Sequence, residues 1–221
     1  MNVISFCIYG NIQMYIQGIT ENLKLCKTIY PDWKPFVYAS LTIPTDTLKT
    51  YKDLGADVYM VQDRDRGFFM NYRYLALEDT RVTRAIFRDA DSRVGIREAE
   101  AVEEWIQQDT DLHIMKDHPY HGVPILGGMW GAKAEKIRDI KDIINKYFSY
   151  ENDREIDQYL LRVEIYPRLC NSVTLHDEFF DKKPFPSPRK DIHFVGCQYD
   201  ENNNILHPEH IDVLNQFINN K

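Results

Sequence analysis

Cysteine is scarce and scattered in this chain: Cys7, Cys26, Cys170 and Cys197 are spread over 221 residues, with no Cys-x-x-Cys pair among them. That spacing argues against both a zinc-ribbon site and a disulfide framework, so a reducing compartment is the expected home. Long apolar runs are missing too. None approaches the roughly 20 residues that span a bilayer. The first residues show no basic segment leading into an apolar core and a small-residue cleavage site. Neither a transmembrane segment nor a secretory leader is expected, which leaves membrane contact to peripheral association or a partner. Basic charge is in deficit: 27 Lys and Arg face 34 Asp and Glu, for a formal charge of −7. A nucleic-acid binder normally shows a basic face, so no nucleic-acid partner is expected. Internal repeats and long low-complexity tracts are absent, which argues against a solenoid.

What is present is a chain with 43% hydrophobic residues and a length suited to one domain, 1–221, with a substantial core. Strand-like and helix-like segments alternate through its first half. Val3–Tyr9, Pro35–Ala39, Asp57–Val61 and Ala85–Phe87 read as extended; Ile12–Ile29, Thr45–Leu54 and Phe68–Glu78 read as helical. This alternation predicts βαβ units and a largely parallel sheet, hence an α/β fold. The second half is less regular. A helix over Arg97–Gln107 and a strand over Leu112–Met115 precede an irregular, His-rich stretch, Lys116–Gly131. Helices over Ala134–Phe148 and Arg154–Val163, a strand over Ser172–Leu175 and a last helix over Pro208–Ile218 follow.

Asp89 and Asp91 stand out. They follow the apolar run Ala85–Phe87, and alternation along an extended chain points both the same way at a strand's C-terminal end. Ligands of open α/β sheets bind at that end. Two hard oxygen donors there suit Mg²⁺ or Mn²⁺, which complete their shell with substrate phosphates. The same spacing at Asp63/Asp65 and Asp109/Asp111 reads as surface loop. Lysine is also absent from Arg64 to Arg97, where eight arginines occur. Arginine's planar fork matches phosphate oxygens. Most of the eight serve as structural ion pairs on this reading, with Arg73 and Arg93 the candidates for phosphate.

The order of elements and the segments FRDADSRVGIREAEAVEEW, IMKDHPYH and ILGGMWGAK, at 87–105, 114–121 and 125–133, resemble small GT-A fold, nucleotide-sugar glycosyltransferases. The resemblance is to enzymes of bacterial surface-polysaccharide clusters and of large algal viruses, including rhamnosyltransferase-like ones. It implies a Rossmann-like nucleotide-binding half, about 1–95, and an acceptor half, about 96–221, around a mixed central sheet. It implies Mn²⁺ or Mg²⁺ bound directly by Asp91, with Asp89 contacting the metal, its water or the donor ribose, and a histidine as third ligand, either His176 or His193, of which His176 is preferred. Ile8, Tyr9 and Gly10, just after the first strand, become candidates to cup the base and ribose, and Asp63 a candidate to approach the nucleotide. An acidic residue in the region of Asp153, Glu155 and Asp157 is expected as catalytic base, with Asp157 preferred because it adjoins Gln158-Tyr159-Leu160. In a retaining enzyme Asp157 would instead line the sugar's reactive face.

Gly127-Gly128-Met129-Trp130-Gly131, with Asp117, His118 and His121 upstream, reads as the substrate end of the site. Glycines let backbone approach a ligand, and a tryptophan face packs on a sugar's C–H surface. Tight turns and a core tryptophan would give the same letters. The implied activity is transfer of a hexose or deoxyhexose from a nucleoside-diphosphate sugar, UDP foremost, to a glycan hydroxyl. It would take place in a bacterial cytoplasm, or in that of the host cell if the source is viral. Two alternatives carry the same residues: a haloacid-dehalogenase-type phosphatase or phosphotransferase with Asp89 as nucleophile, and a sugar-nucleotide or glycan-binding module without turnover. Donor sugar, acceptor, linkage, stereochemical course and oligomeric state are not encoded legibly.

Overall fold

The computed structural model describes residues 1–62, 66–147, 155–190 and 192–219. Its frame is one seven-stranded mixed sheet. The strands are β1 (Asn2–Ile8), β2 (Trp33–Ser40), β3 (Asp57–Val61), β4 (Arg84–Phe87), β5 (Leu112–Lys116), β6 (Trp130–Lys133) and β7 (Val173–Asp177), arranged β3-β2-β1-β4-β6-β5-β7. β1, β2, β3 and β4 run parallel, as do β5 and β7. β6 runs antiparallel between β4 and β5, with Phe87 opposite Trp130.

The helices are α1 (Gln13–Ile29), α2 (Thr45–Asp53), α3 (Arg66–Phe69), α4 (Ile96–Gln108), α5 (Ile140–Lys146), α6 (Ile156–Leu160), α7 (Tyr166–Leu169) and α8 (Pro208–Asn219). Both faces of the sheet are covered, so β1 and β2 read as nearly continuous apolar runs. Ile4, Phe6 and Ile8 of β1 pack with Ile16, Ile19 and Leu23 of α1 and with Trp105 of α4. Val3 and Cys7 face the other way, into a core shared with Phe87, Trp130, Tyr74 and the second-half helices. Each large side chain fully buried this way contributes roughly 1.5–3 kcal/mol.

The region expected as a helix over Phe68–Glu78 is instead a short α3 followed by a 3₁₀ segment, Met70–Leu77. The helix expected over Ala134–Phe148 is split into a 3₁₀ turn, Ala134–Lys136, and α5. β6 lies in and just beyond the stretch expected to be irregular. Its packing is close: a Cβ on Gly131 would come 2.8 Å from Ile86 Cγ2 and 2.9 Å from the Ala85 carbonyl oxygen.

Candidate active site

β4 ends at Phe87, opposite Ser5 of β1, and the chain leaving it carries Arg88, Asp89 and Asp91 alongside the C-terminal half of β1. Arg88 turns inward. Its Nε donates to Glu98 Oε1 at 2.9 Å, and the same oxygen accepts the Tyr30 hydroxyl at 3.0 Å. This buried pair ties the turn to the first turn of α4. From α1, Gly18 packs on the same turn, where a Cβ would overlap the Ala90 carbonyl oxygen. Asn22 also clasps it, donating to the Ser92 carbonyl at 2.8 Å and accepting from Val94 N–H at 3.0 Å.

Asp89 and Asp91 open on a cleft of about 350 Å³, which Ile8, Tyr9, Arg73, Asp157 and Gln198 also line. Arg73 is buried and bridges two carboxylates: it donates to Asp89 Oδ1, and its Nη2 donates to Asp157 Oδ2 at 2.9 Å. The Arg73 carbonyl accepts the Ser5 hydroxyl at 2.7 Å, which fixes the 3₁₀ segment to β1. Asp91 Oδ2 accepts from Gln198 Nε2 at 2.7 Å, and its carbonyl accepts Tyr199 N–H at 2.8 Å. Burial, reinforced by the Asp89 charge, pushes the Asp91 carboxyl up to about 6. Burial also raises Asp157, against the pull of Arg73.

The two glycines before β6 fit this cluster closely. A Cβ on Gly127 would come 2.5 Å from Arg73 Nη2 and 2.6 Å from Asp157 Oδ2, and one on Gly128 would overlap the Asp89 carboxylate. Gln158 braces the same loop. Its neighbours orient the amide so that nitrogen donates to the Ile125 carbonyl at 3.0 Å and oxygen accepts Gly127 N–H at 2.8 Å.

A second cavity, of about 210 Å³, shares Asp89, Gln158 and Gln198 with the first and extends to His118, His121, Phe194 and His210. His118 is spent on the protein: its Nδ1 accepts Tyr120 N–H at 3.0 Å and its Nε2 donates to the His210 carbonyl at 2.8 Å. His121 Nδ1 accepts Asp117 N–H at 3.1 Å, so its proton sits on Nε2. Burial pushes that imidazole down to about 3, which keeps it neutral.

Of the residues expected from sequence, Ile8, Tyr9, Arg73, Asp89, Asp91 and Asp157 meet in the first cleft, while His118, His121, Gly127 and Gly128 meet at the second cavity. Gly10 follows Tyr9 with φ of 67°, a left-handed turn that glycine adopts without strain. Asp63 and Asp153 lie outside the described residues.

Five expectations need correction. Trp130 is no sugar platform, because its fully buried indole packs 4.4 Å from Phe87 and 5.2 Å from Tyr74, centroid to centroid. Asp117 is equally enclosed, accepting from Arg97, Arg189 and the Val195 N–H, so it has no capacity left for a ligand. His176 stands on β7, three strands from β4 and so about 14 Å across the sheet. There its Nδ1 pairs with His113 Nε2 at 3.0 Å, and its Nε2 lies 3.5 Å from Glu104. His193 stacks on Tyr199, with its Nδ1 2.7 Å from that hydroxyl. Arg93 bonds Asn203, the Ser92 carbonyl and the Asp200 carbonyl. Both line another cavity, of about 310 Å³, at the start of α4.

Gln198 and Gln158 were not anticipated. Both stand beside expected positions, Gln158 next to Asp157 and Gln198 shortly after His193, but tertiary contact is what brings each into the site. The donor set fits a hard divalent cation: two carboxylates at the cleft, one of them raised chiefly by burial and further by its neighbour's charge, which a bound cation would relieve. Among the described residues no third His, Cys, Asp or Glu converges with them. Mg²⁺ and Mn²⁺ accept such a two-carboxylate set and fill the remaining positions with water and phosphate.

No known family model matches the sequence, and no curated protein matches it. Solved structures do match in fold. A glycosyltransferase involved in glycosylation of the major capsid of PBCV-1 aligns with TM-score 0.56 and 13% identity over 96% of this chain and 98% of its own. The galactosyltransferase LgtC, solved with donor and acceptor sugar analogs, gives 0.50 and 13% over 80% and 74%. A 4-diphosphocytidyl-2C-methyl-D-erythritol synthase from Anaerococcus prevotii gives 0.50 and 11% over 86% and 91%. The chain has the GT-A fold, with glycosyltransferases among its structural neighbours. The synthase shows that similar folds also occur outside that class. Among the described residues no helix is long and apolar enough to cross a membrane.

Proposed function

We propose that this protein is a divalent-metal-dependent glycosyltransferase, moving a hexose or deoxyhexose from a nucleoside-diphosphate sugar, UDP foremost, to a glycan hydroxyl. One observation carries the reading: Asp89 and Asp91 open together on the cleft at the C-terminal ends of β1 and β4, on a GT-A fold. Asp89 and Asp91 would hold Mg²⁺ or Mn²⁺, which when bound neutralises the departing diphosphate. Arg73 adds fixed positive charge from a buried position at the cleft wall, where it counts for more than in bulk solvent. Ile8 and Tyr9 offer the wall for base and ribose. The second cavity suits the acceptor, with the neutral His121 as a hydrogen-bond donor through Nε2.

Asp157 is the group assigned to take the acceptor's proton, since burial moves its pKa toward the working range of a base. The four free cysteines fit a reducing cytoplasm. The GT-A fold argues against the haloacid-dehalogenase alternative. A binding module without turnover is separated from the enzyme by assaying donor hydrolysis and transfer.

The test is a thermal-shift panel of UDP, GDP, CDP and dTDP, with and without Mn²⁺, on wild type and Asp91→Ala. A metal-dependent rise with one nucleotide, lost in Asp91→Ala, is expected, because a ligand that binds only the native state stabilises it with occupancy. No shift with any nucleotide would overturn the assignment.

A further inference from the structure

The start of α8 brings together a set of side chains that the proposed transfer reaction does not use. His207, Glu209 and His210 present ligand atoms that all lie within 4.8 Å of one another. His207 Nδ1 is 3.0 Å from Glu209 Oε1, already near the separation of about 3.3 Å between tetrahedral ligands of a zinc-sized ion. The two imidazoles stack at 4.9 Å and 23°.

The backbone beneath them is held. Pro208 opens the helix, His210 N–H donates to the His207 carbonyl at 3.1 Å, and the His210 carbonyl accepts from His118 at 2.8 Å. The His210 ring is confined as well, with His118 5.6 Å and Tyr120 5.3 Å away. A site prepared this way loses little side-chain freedom on binding.

We infer that His207, Glu209 and His210 form a second metal site, for a borderline transition cation of the Zn²⁺ type. Its donor chemistry is opposite to that of the aspartate pair. Imidazole nitrogens favour Zn²⁺, Ni²⁺ or Cu²⁺, whereas an all-carboxylate set favours Mg²⁺ or Mn²⁺. Three protein ligands leave a fourth position to water. Because His210 also lines the cavity that reaches Asp89, an ion here would stiffen one wall of that cavity. α8 is otherwise anchored chiefly through Ile211 and Leu214 on Phe194 and Cys197.

Zn²⁺ binding is measured by titration calorimetry on the full chain carrying Asp91→Ala, which weakens the aspartate site. Saturable binding of one ion per chain is expected, with excess Mg²⁺ failing to displace it. Adding His207→Ala or, separately, Glu209→Gln should weaken it by at least about tenfold, with circular dichroism unchanged. Both side chains are substantially exposed, so these variants should fold. Co²⁺ bound in place of Zn²⁺ should give visible absorption that disappears in His207→Ala. Absence of saturable Zn²⁺ binding, or equal affinity in His207→Ala, overturns the inference. The readout is metal rather than sugar transfer, so a failed transfer assay leaves it standing.

Discussion

Arg73 joins residues that lie far apart in the chain, and a buried guanidinium between two carboxylates is stable only while its partners are present. Arg73→Met leaves Asp157 buried without its cation and Asp89 without its positioning contact. A stability loss of about 3 kcal/mol in urea unfolding is expected, together with a fall in transfer of roughly a hundredfold or more. Unchanged turnover would remove Arg73 from the mechanism. Asp91 makes a prediction of opposite sign. Its carboxyl titrates near 6 in the folded chain, above the usual aspartate range, so the native state binds the proton more tightly than the unfolded state. The stability this supplies is complete below about pH 4 and is lost as pH rises through 6. Without metal, Asp91→Asn should therefore match wild type near pH 4 and exceed it by about 1–3 kcal/mol at pH 7.5. A gap of the same size at both pH values would refute this account. Asp89, Asp91 and Arg73 could be singled out in the sequence because the apolar run before the pair and the choice of arginine over lysine are local signals, although both aspartates lie beyond the end of β4 and not on the strand itself. Gln198 could not, since its contact with Asp91 spans 107 residues.

The strands β1, β2 and β4 were readable because burial on both faces writes continuous apolar runs, and the edge strand β3 because Val58, Tyr59 and Val61 are β-formers. β6 was hidden: Trp-Gly-Ala-Lys has no β-branched residue, and its strand character comes from pairing between β4 and β5. The Gly-Gly-Met-Trp-Gly letters also fitted two structures, and burial decided for the core at Trp130. Asp117, at the end of β5, acts on whole elements. Its carboxylate gathers Arg97 of α4 and Arg189 and Val195 of the C-terminal segment. Asp117→Ala would strand the two largely buried arginines, with Glu178 as their remaining carboxylate. A loss of about 3–5 kcal/mol is expected, with faster amide exchange concentrated at 183–199. Exchange unaltered there would show that the segment is held by its apolar contacts alone.

Across the molecule, four histidines are governed by burial. Burial depresses the pKa values of His113, His118, His121 and His176 in the folded chain. Each therefore favours the native state above its unfolded value near 6.5, and that support is lost as pH falls from 6.5 toward the depressed folded value. Each such group adds a slope of up to about 1.4 kcal/mol per pH unit. Urea midpoints measured from pH 7.5 to 5 should fall accordingly, with the Asp91 contribution running the other way. A midpoint that rises steadily toward pH 5 would show that these imidazoles do not govern acid stability.

β5 and β6 are antiparallel neighbours, so the 117–129 connection is tethered to the sheet at both ends, with exposed Tyr120 and Val123 at its outer part. Such a connection can be lengthened or exchanged at 119–124 while Asp89, Asp91, Gly127 and Gly128 keep their places. If the proposed transfer reaction holds, this outer part of the connection is a replaceable cassette beside the second cavity, open to exchange without disturbing the aspartate pair.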